Sequence, residues 1–532
     1  MPMLLGIVCV PSGRNETKMN IKHIRNFFLI FVITLMFYAS YIIVFNDIAL
    51  KNETVSKSLI IGENEKITEL KLGISEYDTF DPILTKNKDI QYISKLVYDS
   101  LFTIKEDYSI KNCLAIECSQ ISDTSYIIKL REDAYWSNGE KFGAQDVIYT
   151  IEKIRKEESI YKHLIEPIES IQIIDEYTIK INLYKKTTFF EYNLIFPIIK
   201  NNSGEEFYNI GMYNIKTIEE DKIILIKNDK WYNKESSEPI FENVTIYLYP
   251  NKTDEYKAFK KSEIDIIHTN NINYEEYIGK YGYNEKKYLC PNHTILAFNM
   301  ENEFLSNINI RQAISYAIDK HNITDIIFNN KYEPSDFPLD YGNFLYTENL
   351  YEHIYNPKYA NEILNKQFEN FVINLNLIVK DTETEKIKVA ENIKSDLENI
   401  GIMVNIQILE EEKFKKNIDN KNYDLLLCTV DLSLNPSLET FLGKDNLFNY
   451  NNLDVIEILG QISNIKDEEV LIQKFKELQK YYFEDIPCIS LYNEGNMVLY
   501  SKNLRAILSP NYYNLFYGIE RWYLVRNFNY LG

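Results

Sequence analysis

Residues 130–151 (LREDAYWSNGEKFGAQDVIYTI) constrain the fold more than any other part of the chain. A strand end runs into a Ser137-Asn138-Gly139 turn, then a short polar link, then a helix with Val147, Ile148, Ile151 and Ile154 on one face. Physics alone makes this a turn feeding an amphipathic helix, which many folds contain. Gly143 stands at the helix start. Gly is an acceptable N-cap but brings no side-chain acceptor, so this start is weaker by roughly a few tenths of a kcal/mol.

A chain of 532 residues is too long for one ordinary core, so at least two lobes are expected. The formal charge of -20 argues against nucleic acid, because phosphate binding needs a basic face. A solvated acidic surface is the plain meaning of that charge. The 42 tyrosines follow a bias towards Ile, Asn, Lys and Tyr and do not by themselves imply a stacking platform.

Residues 27–45 (FFLIFVITLMFYASYIIVF) carry no charge and are long enough to span a bilayer, which takes about 20 apolar residues. Lys18, Lys22 and Arg25 precede them, and Asp47 and Glu53 follow. The positive-inside rule then puts 1–26 in the cytoplasm and everything after residue 45 outside. Residues 36–40 offer only a weak small-residue cleavage site, so an uncleaved signal anchor is expected. Residues 46–58 read as a tether.

The folded part opens with an alternating strand at 69–74 and a turn ending in Asp81-Pro82. An amphipathic helix follows, with Ile93, Leu96, Val97 and Leu101. Strands are expected at 126–130, 178–183, 223–227 and 244–248, and a helix running into a strand at 258–267. Helix and strand then alternate. Residues 311–319 form a helical face, and a strand at 371–379, a helix at 387–397, Gly401 and a strand at 402–409 make a βαβ unit. A helix at 470–483 precedes a strand at 488–492. The fold class is α/β with mixed sheets.

Catalytic signatures are missing. The six histidines fall in neither HExxH nor HxH spacing, and the sequence has no GxSxG, P-loop or GxGxxG. No enzyme, cofactor or metal site is expected. Six cysteines without a CxxC exclude a disulfide scaffold but leave room for an isolated bridge outside the membrane.

The order of Trp136, Ser137, Asn138, Gly139, Ala144, Asp146, Val147 and Thr150 resembles the signature of the bacterial family-5 extracellular solute-binding proteins. Gly143 departs from it, since Thr or Ser is usual there. Gly211-Met212-Tyr213 sits where Gly-Pro-Tyr is usual, and Met for Pro loosens that turn. Asn299, Arg311, Gln312, Ala313, Tyr316, Ala317, Ile318 and Asp319 resemble the block opening the second lobe. Asn356-Pro357, residues 397–404 and Tyr423-Asp424 follow in the same order.

The resemblance implies a two-lobe periplasmic-binding-protein-like fold of class II, with a hinge and a subdomain inserted in lobe one. Lobe one would comprise 59–96, 191–292 and 508–532, with the inserted subdomain at 97–190, and lobe two 293–507. It implies an extracytoplasmic component of an ABC importer that captures peptides in the cleft, acting as a monomer with a membrane permease. A surface receptor for a signalling peptide and a nickel or metal-chelate binder are the alternatives within the same fold.

Asp431 matches an Asp that, in peptide-binding members, pairs with the ligand's α-ammonium. A carboxylate suits that task because a charge-assisted contact in a dry cleft outweighs a neutral one. A solvated or capping loop Asp is the plainer alternative. Cys428 replaces a usual Trp nearby, and extra residues lie between Asp431 and Pro436. Glu76, with Tyr77 beside it, matches a position at the cleft mouth. Trp136 is expected to pack under its turn. The family layout also brings the strands of Cys290 and Cys428 near each other, which suggests a disulfide, with Cys113 and Cys118 as the competing pair.

One outcome tests the topology. With 27–45 retained as an anchor, the protein fractionates with membranes and external protease releases a nearly full-length product. Free protein in the medium with an N-terminus near residue 41 would show cleavage instead. N-terminal sequencing also decides between Met1 and Met19 as the start.

Overall fold

The computed structural model describes residues 67–525, except 202–206, 340–341, 349, 351–353, 368–371, 447, 449 and 464. These residues belong to one compact unit that begins at Ile67. The anchor at 27–45 and the tether at 46–58 lie outside the described residues. Among the described residues, no helix is long and apolar enough to cross a membrane.

An eleven-stranded mixed sheet organises the chain. Its order runs Ile402–Leu409, Ile373–Lys380, Leu425–Asp431, Tyr283–Phe298, Cys488–Ser501, Ile266–Thr269, Glu69–Ser75, Asn243–Tyr249, Lys222–Lys227, Tyr213–Ile218, and the short Glu333–Pro334 pairs beside it. The expected βαβ unit is present: Ile373–Lys380 and Ile402–Leu409 are parallel from Ile373↔Ile402 to Lys380↔Leu409, joined by the helix Thr384–Glu398. Gly401, at φ +85°, makes the sharp return into the second strand, a conformation that costs other residues a Cβ clash.

Two long strands join the halves of this sheet. Tyr283–Phe298 and Cys488–Ser501 run antiparallel from Tyr283↔Ser501 to Ala297↔Cys488. At one end Cys488–Ser501 pairs with Ile266–Thr269, and at the other Tyr283–Phe298 pairs with Leu425–Asp431. The ladder is interrupted between Leu289 and His293, where Pro291 has no N–H to donate. Only the far ends of these strands, 294–299 and 488–492, are evident from the sequence. The sequence reading stops at residue 492, yet the strand continues through Asn493-Glu494-Gly495-Asn496 to Ser501. Gly495 is required there, since a Cβ would lie 2.1 Å from the carbonyl oxygen of Lys331.

Alternation along these strands builds separate cores on the two faces of the sheet. Leu296, Phe298, Leu375, Leu377, Leu425 and Leu427 point to one side, under the helices Ile308–Ala317 and Thr384–Glu398. Ile295, Ala297, Ile378 and Leu426 point to the other, under Leu453–Ile462 and Glu468–Asp485. Another core gathers Leu70, Leu72 and Ile74 with Val147, Ile151, Ile128 and Ile181. The last two belong to a four-stranded antiparallel sheet, Ala115–Ser122, Ser125–Leu130, Thr178–Leu183 and Ile168–Asp175 in order.

The signature at 136–150 is structural. Trp136 is buried, and its indole N–H donates to Asp146 Oδ2 at 3.0 Å. The same oxygen accepts from the Gly143 N–H at 3.1 Å, and Oδ1 accepts from the Asn201 N–H at 2.8 Å. Asp146, at the third position of the helix Ala144–Lys156, therefore reaches back to the N–H of the N-cap residue Gly143, the half of a capping box that needs no side chain on the glycine. Gly211 is equally constrained, because a Cβ there would come 2.8 Å from the carbonyl carbon of Val97.

Asp146→Ala leaves an indole and two backbone N–H groups without their acceptor, so it should cost about 3 kcal/mol. Trp136→Phe, which removes one donor and keeps the ring, should cost about 1 kcal/mol. Denaturant unfolding of the two variants checks both values and their order.

Candidate binding site

A hollow of about 830 Å³ lies where the two long strands pass between the halves of the sheet. Its size is within the range of about 300–1,000 Å³ usual for ligand cavities. Cys290, Pro291 and Asn292 form its base at the break in the ladder.

On one side stands the strand Leu425–Asp431. Its buried leucines anchor it, and its exposed end carries Asp431 opposite Asn292. The Leu432 N–H donates to Pro291 O at 2.7 Å and ends the ladder. Beyond it the side-chain amide of Asn435 donates to Thr188 O at 2.8 Å, which ties the loop after Asp431 to the segment just ahead of the 3-10 turn Phe190–Leu194. Glu494 lies alongside and accepts from Asn292 Nδ2 at 2.8 Å. Burial raises the Glu494 carboxyl, and Asp431 pushes it the same way, while the Asn292 hydrogen bond and Lys386 pull it down.

The opposite wall is the helix Lys88–Val97. Asn87 caps it by accepting the Ile90 N–H, and Ile90, Ile93, Leu96 and Val97 face the core. The helix thereby turns Lys88, Gln91 and Lys95 to the cavity. The Lys88 ammonium sits 3.6 Å from the ring centre of Tyr512, and that of Lys95 3.4 Å from the ring centre of Tyr513.

Beside this wall His268 is held on both ring nitrogens. Nδ1 lies 2.7 Å from Asp89 Oδ1 and Nε2 2.8 Å from the Tyr288 hydroxyl, which in turn meets the Tyr92 hydroxyl at 3.0 Å. Burial alone would raise the Asp89 carboxyl, but His268, Lys252 and Lys88 together hold it below its usual range.

Of the residues singled out in the sequence, Asp431 reaches the cavity wall. Glu76, exposed and at φ +55°, lines an adjoining hollow of about 460 Å³ that shares Lys88, His268 and Asn270 with the main cavity. Tyr77 borders neither hollow; it stacks on Phe80 at 4.9 Å.

The expected Cys290–Cys428 disulfide is corrected by the strand register. Cys428 lies opposite Ile295, five residues along the strand from Cys290, a separation of about 17 Å. A bridge needs the two Cα atoms within about 7 Å. Neither these cysteines nor Cys113, Cys118 and Cys488 form a disulfide. Cys113 instead meets the Tyr232 hydroxyl at 3.1 Å.

Lys88, Lys95, Tyr512, Tyr513 and Glu494 were not singled out from the sequence. The signal for the first two was present in the spacing of Lys88, Gln91 and Lys95, a polar stripe at i, i+3 and i+7 on a helix whose other face is apolar.

Residues 110–444 match the family model for bacterial extracellular solute-binding proteins, family 5 middle region. The chain belongs to this family, whose members are transport binding proteins rather than enzymes and act outside the cytoplasm. It is 22% identical to the oligopeptide-binding protein AppA of Bacillus subtilis (strain 168), over 89% of this chain and 94% of the relative. It is also 22% identical to the nickel-binding protein NikA of Staphylococcus aureus (strain NCTC 8325 / PS 47), over 73% and 81%. Among solved structures, the unliganded open form of the murein tripeptide-binding protein MppA aligns with a TM-score of 0.77 at 18% identity, covering 87% of this chain and 98% of that one. HbpA2 of Haemophilus parasuis aligns with a TM-score of 0.75 at 17% identity, covering 86% and 100%. These structural likenesses carry the fold, which is that of periplasmic solute-binding proteins.

Alkylation of the unreduced, denatured protein followed by peptide mapping should modify both Cys290 and Cys428. In the native protein Cys428 should react slowly, because burial pushes its thiol up to about 12. A recovered Cys290–Cys428 cross-linked peptide would contradict the register.

Proposed function

We propose that this protein captures peptides in the cleft at the junction of its lobes and hands them to a membrane permease of an ABC importer. The observation that carries this reading is the cavity itself. It lies across the pair of strands that joins the halves of the sheet, and Asp431 stands at a strand end on its wall. A carboxylate in that place suits a ligand ammonium. The AppA relative, named for oligopeptide binding, is similar over most of both chains.

In this reading 59–96, 191–292 and 508–532 form lobe one, with 97–190 inserted, and 293–507 forms lobe two. The chain closes by bending where the ladder is interrupted, between Leu289 and His293. Glu76 borders the entrance from the adjoining hollow. The protein works as a monomer, held at the outer face of the membrane by residues 27–45.

Asp431→Asn should weaken binding of a short peptide with a free amine by about 1–3 kcal/mol and leave its N-acetylated form nearly unaffected. Calorimetry on the full chain reads both. Equal losses for the two peptides would remove Asp431 from the ammonium site. Tight binding of a nickel chelate with no peptide binding would overturn the reading itself.

A further inference from the structure

A second hollow, of about 280 Å³, lies against the helix Lys88–Val97. Every described residue that lines it comes from 91–237 or 513–521, whereas the main cavity has Asp431 and Glu494 on its wall. Its sides are that helix, the strand Ile110–Asn112, the turn at 231–233 and the C-terminal stretch. Lys95 and Tyr513 border both hollows and stand as part of the partition between them. With nothing from 293–507 on its walls, this hollow does not depend on the cleft being closed.

The charge of the hollow is opposite to that of the protein. Lys95, Lys105, Lys111, Arg131 and Arg521 line it against Asp99 and Glu520, five cations to two acids in a chain of net charge -20. Both acids are engaged. Asp99 accepts the Trp231 indole N–H at 3.1 Å and the Tyr232 hydroxyl at 2.7 Å, and Glu520 pairs with Arg521 at 3.0 Å. Burial raises the Asp99 carboxyl, against the pull of Tyr232, Trp231 and Arg131, which lessens its negative charge.

The cations are less well served. Lys111 makes no ion pair among the described residues. Lys95 likewise has no carboxylate within ion-pair distance there, and its ammonium lies 3.4 Å from the ring centre of Tyr513. An aromatic face steadies an ammonium without neutralising it. Burial pushes Lys95 down to about 7, with Lys88 acting in the same direction and Cys113 and Asp99 against it. A counter-charge in the hollow would offset that cost.

We infer that this hollow is a second ligand site, separate from the cleft, for a small phosphate-type oxyanion. The cations reach it from separate parts of the chain: Lys95 on the helix, Lys111 on its strand, Arg131 just after the strand Ser125–Leu130, and Arg521 in the C-terminal stretch. A tetrahedral oxyanion presents acceptors in several directions and suits donors so spread, while a carboxylate presents two oxygens in one plane. The volume lies below the range of about 300–1,000 Å³ usual for larger ligands, which fits free phosphate or a small phosphoester. Trp231 and Tyr232, with ring centres 5.8 Å apart, give an ester an aromatic surface beside the charges. The inference goes beyond the peptide reading and does not rest on it.

The fold supplies a reporter for the test. Of the three tryptophans, Trp136 and Trp522 are buried, and the half-buried Trp231 borders this hollow. Titrating the full chain with inorganic phosphate, and separately with glycerol phosphate, should change the tryptophan emission saturably, and Trp231→Phe should remove the change. Calorimetry at constant ionic strength reads the affinity. Lys111→Gln/Arg521→Gln alters two exposed side chains and should weaken binding on the order of tenfold. Lys111→Arg/Arg521→Lys should keep it.

Tighter binding of glycerol phosphate would mark an ester as the occupant; otherwise the phosphate group alone carries the recognition. Saturable binding of neither probe overturns the site. So does an affinity indifferent to the glutamine pair, or an emission change that persists in Trp231→Phe. Binding lost in Lys88→Gln yet intact in the glutamine pair would put the anion in the main cavity and overturn it as well. None of these results bears on peptide capture, which stands or falls by its own test.

Discussion

The antiparallel pairing of Tyr283–Phe298 with Cys488–Ser501 is the interaction on which the rest of the molecule depends. These two strands run through both halves of the sheet. Each end is locked by a neighbour: Ile266–Thr269 on one side and Leu425–Asp431 on the other. Between the locked ends lies a short stretch where the ladder breaks at Pro291. The pairing of these two strands is interrupted there, and a cavity of about 830 Å³ opens at the break. The fold thus positions Asp431, Asn292 and Glu494 without any loop having to hold them alone.

Much of this architecture is legible in the sequence, for identifiable reasons. The βαβ unit at 373–409 announces itself because apolar runs bound a helical period that ends at Gly401. The Trp136–Thr150 stretch is legible because its polar residues are fixed by geometry: Asp146 must meet the indole of Trp136 and the N–H of Gly143. Arg311 is similar, donating to Leu305 O and Asp485 O at 2.7 Å each. The residues that signal the family are staples of the scaffold, and none of these three lines the cavity.

The cavity was less legible, and the causes are physical. Asn493–Asn496 has the composition of a turn, and only the neighbouring strands hold it extended, which is long-range information. Lys88 and Lys95 look like ordinary solvated helix charges until the fold lays Tyr512 and Tyr513, more than four hundred residues later, against them. The disulfide expectation failed for a related reason. Adjacent strands were foreseen, but their register, which sets Cys428 opposite Ile295, follows from where the hydrophobic runs 295–298 and 425–428 align. Asp431 was singled out by its resemblance to an Asp of peptide-binding family members, and its place just after an apolar run, which the structure shows as a strand of buried leucines, agrees with a strand-end position.

The central claim is that the cavity at the strand crossing holds peptides in the working protein. The most direct measurement is native mass spectrometry of the full chain purified from the cells that make it, with the bound material released and fragmented. The account predicts a heterogeneous set of short peptides, one per protein molecule. A single metal chelate or other non-peptide ligand at full occupancy, with no peptide released, would contradict it.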